Sequence, residues 1–112
     1  MPRYLVSFND GDMTFPQDEL PAVADAAHAV MYEAQAAGVW VFGGGFMGYH
    51  PYVVNLDGSV KAGPLAESPV HLGGFAVIDV PTQAEAFEWA HKIGVSCRCA
   101  QEVREFIDDP EA

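Results

Sequence analysis

Four histidines and two cysteines carry most of the chemistry open to this 112-residue chain. His71 follows Glu67 by four residues, in a stretch punctuated by proline and glycine. A carboxylate folded against the imidazole would raise its pKa and make His71 a general acid or base near neutral pH, with Glu67 orienting it. Left in water, the same two side chains are an ordinary solvated loop pair. His28 lies at the border of an apolar helical stripe. There it is either a proton carrier at the edge of a cleft or a boundary residue bonded to backbone or water. His50, between Tyr49 and Pro51, either lines a ligand pocket after a glycine run or occupies a turn. Asp79 ends an apolar strand before Pro81. It either approaches a histidine as a ligand-binding group or steadies the start of the next helix. His91 is expected to face solvent.

Cys97 and Cys99 are separated by one residue, a spacing that would put both thiols on one face of a strand. A disulfide between them would distort the backbone. No C-x-x-C or H-x-x-x-H pair completes a zinc site. The two readings are a pair of reduced, largely buried thiols, or a redox or soft-metal pair whose pKa falls through the charge of Arg98. No metal or cofactor is expected. Gly43-Gly44-Gly45 lacks a Walker lysine and a complete G-x-G-x-x-G setting, the acids at 9–12 lack the calcium-loop frame, and no G-x-S-x-G elbow occurs.

Positioning these groups needs a scaffold, and its elements are legible from periodicity. Residues 4–8 form a short apolar strand closed by the turn chemistry of Asn9-Asp10-Gly11-Asp12. Over 16–38, Leu20, Val23, Ala24, Ala27, Val30, Met31 and Ala34 recur at helical spacing, with Gly38 as the stop. Residues 39–42 read as a buried strand that the glycine run then breaks or bulges. Residues 52–56 and Val60 flank Asp57-Gly58, a hairpin signal. Residues 61–73 read as an irregular loop, and 74–80 as a strand. Thr82-Gln83-Ala84-Glu85 fits a capping box for a second helix, whose inner face carries Ala86, Trp89, Ala90 and Ile93. Residues 99–106 read as a last strand, with a helix through Cys99, Val103 and Phe106 as the alternative, and 108–112 as an acidic tail.

The order is β-α-β-β-α-β with an extra hairpin, an α+β, ferredoxin-like pattern in one domain spanning residues 1–112. Helices would cover one sheet face. Strands apolar on both faces need cover on the other, which predicts a homodimer paired sheet to sheet. Sixteen acids against five Lys and Arg give a formal charge of −11, which argues against nucleic acid and anionic membranes as partners. No apolar run approaches the roughly 20 residues of a membrane span, and the N-terminus lacks a signal-peptide core, so a cytoplasmic protein is expected.

Gly63-Pro64-Leu65-Ala66-Glu67 and the block from Leu72-Gly73-Gly74-Phe75 through Val80 resemble the YCII-related family, in its DGPF-like branch. The resemblance extends through Ala37-Gly38-Val39-Trp40-Val41, Gly43-Gly44-Gly45-Phe46, Ala86-Phe87-Glu88-Trp89-Ala90 and Glu102-Val103-Arg104. Ala62 stands where the motif carries its aspartate, and Leu65 where it carries phenylalanine. The resemblance implies a dimeric α+β barrel of mostly unassigned function. It also implies small enzymes, among them a dehydrochlorinase acting on a chlorinated hydroxyhydroquinone through a His–Asp pair. His28 lies near that histidine's place in the first helix, and no aspartate near Ile93-Gly94 matches its partner. Some DGPF members accompany sigma factors.

Three functions follow as expectations. The chain binds a small molecule in a pocket between sheet and helices. Alternatively it is a cofactor-independent enzyme using a histidine for proton transfer or elimination on an aromatic substrate. The third is a protein-interaction module associated with transcription.

Overall fold

The strand and helix signals are realised in sequence order. A computed structural model describes residues 1–48, 50–65 and 70–112. Its elements are β1 (Arg3–Asn9), α1 (Leu20–Ala36), β2 (Trp40–Gly45), β3 (Tyr52–Val54), β4 (Val60–Ala62), β5 (Leu72–Asp79), α2 (Gln83–Cys97) and β6 (Glu102–Glu105). Four strands form an antiparallel sheet in the order β2-β5-β1-β6, while β3 and β4 make a separate two-stranded sheet. The class is α+β.

Helix ends follow local chemistry. Pro16 precedes a 3-10 turn at Gln17–Glu19, and α1 begins only at Leu20, with Pro21 in its first turn where a missing N–H costs nothing. At the far end Gly38 takes φ 76°, Gly38 N–H donates to the Gln35 carbonyl, and Val39 N–H donates to Ala34. These two bonds satisfy carbonyls that would otherwise be orphaned. Helix α2 starts where the capping box places it: the Thr82 hydroxyl accepts from Glu85 N–H at 3.2 Å. It ends at Arg98, whose φ of 61° and ψ of 35° form a left-handed cap usually given to glycine. The Arg98 guanidinium ties back to Glu19 at 3.0 Å and lies over the Phe15 ring. Lys92 likewise pairs with Glu33 and caps the Trp89 ring, joining α2 to α1.

Two sequence expectations need correction. The glycine run does not end β2. The strand continues through Gly45, and the irregularity falls earlier, between Trp40 and Phe42. The Trp40 ring packs over this stretch: a Cβ on Gly43 would lie 2.7 Å from it. Glycine there lets the indole lie along its own strand. The loop expected over 61–73 is also shorter, because Lys61 and Ala62 pair in β4 and Leu72 pairs in β5. Residues 66–69 of that loop lie outside the described residues.

Alternation divides the sheet into two faces. Tyr4, Val6, Ala76 and Ile78 point one way and are buried. They meet Val80 and the α2 residues Ala86 and Ala90, with Val39, Trp89, Ile93 and Val103 at the margin. The inner face of α2 is therefore the one its spacing predicts. The Tyr4 hydroxyl donates to Glu105 at 2.8 Å, and that carboxylate, aided by burial, holds the phenol above its usual pKa. The opposite face carries Leu5, Ser7, Phe75 and Val77, in register with Phe42 and Gly44 on β2 and with Arg104 and Glu102 on β6.

The molecule is extended for its length. Its radius of gyration is 15.7 Å, against about 13 Å expected for a compact chain of this size. It exposes 7872 Å², about 1,900 Å² more than the roughly 6,000 Å² of a compact monomer of 12.1 kDa.

Candidate functional site

The structure separates most of the side chains singled out above. His28 is exposed on α1, its ring 6.3 Å from that of Tyr32, which follows one helical turn later. His71 is half-buried immediately before β5, and its carbonyl accepts from Asp10 N–H at 2.6 Å. Glu67 lies outside the described residues, and so does any pairing of it with His71. His50 is exposed, with its ring close over Gly48. Asp79 sits on the face away from the helices, opposite Arg3, whose Nε is 3.8 Å from Oδ2; Oδ1 is buried without a hydrogen bond and lies 4.0 Å from the Met1 amino group. No described hydrogen bond or ion pair joins His28, His50 and Asp79 to one another. Among the described residues no three His, Cys, Asp or Glu side chains gather as a metal site.

The thiols also depart from the expected arrangement. Cys97 is the last residue of α2, and the left-handed Arg98 turns the chain before Cys99, so the two do not share a strand face. Arg98 points to Glu19 and does not activate them. Burial pushes both thiols above their usual pKa, and at Cys99 the neighbouring Cys97 and Asp12 push the same way. Thiolate is the reactive species. Both cysteines are thus expected to react with a disulfide reagent such as Ellman's more slowly in the native protein at pH 7.5 than after unfolding. Fast, stoichiometric native labelling would contradict this.

The chemistry the fold does assemble lies in two other places. The first is a groove of about 520 Å³ between α2 and β6. Phe87, His91 and Val95 line one wall at four-residue spacing, and Cys99, Gln101 and Val103 line the other. Gly94 brings the walls together, since a Cβ there would come within 2.9 Å of the Cys99 carbonyl oxygen. Gln101 Nε2 donates to that same carbonyl at 3.3 Å and approaches the Cys99 sulfur at 3.5 Å. Its other atom, Oε1, is buried with no hydrogen-bond partner. An acceptor left this way costs about 1–3 kcal/mol. Sequence reading missed Gln101; the available signal was the Phe87, His91, Val95 stripe on the flank of a helix whose other face fills the core.

The second place is a hollow on the uncovered sheet face. The Phe75 ring lies 6.2 Å from Phe42 and 6.1 Å from Phe46. Gly44, between Phe42 of β2 and Phe46 just past its end, and opposite Phe75, has open space above it. Phe42 is 62% exposed and Phe46 56%. The alternation Phe42-x-Gly44-x-Phe46 is the sequence mark of this feature, hidden inside a glycine run read as a strand break.

No known protein-family model matches the sequence, and no curated protein matches it. No helix among the described residues is long and apolar enough to cross a membrane.

Proposed function

We propose that this chain is a ferredoxin-like domain of the YCII-related, DGPF-like kind, a cytoplasmic homodimer of the dimeric α+β barrel type. It binds a small apolar molecule bearing a hydrogen-bond donor, in the groove between α2 and β6. The unpaired Gln101 Oε1 carries the ligand reading. Binding sites are mostly apolar with a few placed polar groups, and this groove offers Phe87, Ala90, Val95 and Val103 beside Gln101, whose Oε1 is buried and unpaired. A phenol suits it: the ring replaces water on the apolar wall, and the O–H reaches Oε1 once the Gln101 amide, which buries that atom in the free chain, turns toward the groove. The formal charge of −11 disfavours a carboxylate competitor.

Two observations support the homodimer. The excess exposed surface, about 1,900 Å² per chain, is in the range that permanent dimers bury. The apolar residues of the uncovered sheet face supply the surface that such burial favours.

A thermal-shift and NMR screen with phenols, against matched benzoates, tests the ligand reading. Phenol binding that moves the Gln101 side-chain amide resonances and weakens about tenfold in Gln101→Leu, the value of one lost hydrogen bond, is the expected result. Phenol affinity unchanged in both Gln101→Leu and Val95→Asp would place binding elsewhere and reject the groove.

A further inference from the structure

Among the described residues the β3–β4 hairpin pairs with no other strand, yet it presents an apolar face. Register puts Tyr52, Val54, Val60 and Ala62 on one side of the ribbon. Tyr52 is 70% exposed and Val54 68%. Its turn is well built: Gly58 takes φ 87°, and the Asp57 carboxylate accepts from the backbone N–H and hydroxyl of Ser59, which holds that carboxyl below its usual pKa. Turn bonds fix the shape of a hairpin, but a two-stranded ribbon in water is marginal unless its apolar face is covered.

In plan, four strands spaced about 4.8 Å apart and about six residues long on average span roughly 400 Å². That is well short of the excess of about 1,900 Å² that the chain exposes. Sheet-to-sheet contact alone leaves much of the excess unexplained, and the hairpin is one of the other exposed apolar surfaces, with Tyr52, Val54 and Val60 all open to solvent. It follows β2, the edge strand that carries Phe42 and Gly44 and ends just before Phe46. A tyrosine is also the side chain best suited to anchor an interface, since its ring buries much area while its hydroxyl stays hydrated.

We infer that the hairpin is an exchange arm: Tyr52 of each copy fills the aromatic hollow over Gly44 of the other. This rests on the homodimer reading and adds to it a specific occupant for the hollow. The two-fold arrangement is self-complementary, because each chain supplies one arm and one hollow. Gly44 then has an interface role, since any side chain there would occupy the seat of the partner's ring.

The test is sedimentation velocity on the full chain over a concentration series. Tyr52→Ser removes the anchor without adding charge, and Gly44→Leu fills the hollow while meeting no atom of its own chain within 4 Å of the new Cβ. Each is expected to raise the dimer dissociation constant at least tenfold, with the circular dichroism of the folded chain retained. As a second readout, chains carrying Tyr52→Cys are mixed with chains carrying Phe46→Cys under mild oxidation, and cross-linked heterodimers are expected. A wild-type affinity in Tyr52→Ser, or no mixed cross-link, overturns the arm even where Phe46→Asp dissociates the dimer and so upholds the dimer itself. A monomeric wild-type chain overturns both.

Discussion

Ile78→Ala is expected to lower stability by about 2–5 kcal/mol, a large part of the roughly 5–15 kcal/mol that holds a domain together. Ile78 has no exposed surface and is among the largest fully buried side chains. It stands on the central strand β5, between Tyr4 of β1 and Trp40 of β2. Removing its outer atoms leaves a void walled by strands on both sides, so the site cannot collapse cheaply. Thermal unfolding followed by circular dichroism checks this, with a fall in midpoint on the order of 10–20 °C. A shift under 3 °C would mean that the core is not centred where Tyr4, Val6, Ile78 and Val80 place it.

Phe42→Asp is expected to have the second large effect, and on association instead of folding. Phe42 is exposed in the single chain, so the change removes little from the chain's own core. In a sheet-to-sheet dimer it would bury a carboxylate without a partner, a cost of several kcal/mol. The dimer dissociation constant should therefore rise at least 100-fold. The unfolding midpoint should lose its dependence on protein concentration, because association no longer stabilises the folded chain by mass action. Equilibrium sedimentation gives the first quantity and a dilution series of melts the second. An unchanged dissociation constant would remove Phe42 from the interface.

Much of the scaffold is legible in the residues themselves. Short apolar runs rich in β-branched and aromatic residues mark β1 and β5, Asp57-Gly58 marks the hairpin, and the Thr82 cap with its apolar spacing marks α2 and its buried face. These signals are local, and local chemistry decides them. What escapes is what depends on contacts between distant residues. Gly43 reads as a strand break until the Trp40 ring is seen lying over it. The cysteines read as a strand pair because nothing about an arginine announces the left-handed turn at Arg98. The histidines read as chemistry because of their type, yet His28 and His50 lie exposed, apart from Asp79. Gln101 carries no motif at all. Its interest arises only because Gly94 admits the Cys99 carbonyl, which takes one end of the amide and leaves the other unpaired.

The uncovered sheet face is the proposed seat of a permanent homodimer. Sedimentation equilibrium of the wild-type chain at low micromolar concentration measures this directly. The expected mass is twice the 12.1 kDa of one chain, with no monomer detectable. A single species at 12.1 kDa would contradict it, leaving an extended monomer with its aromatic hollow open to water.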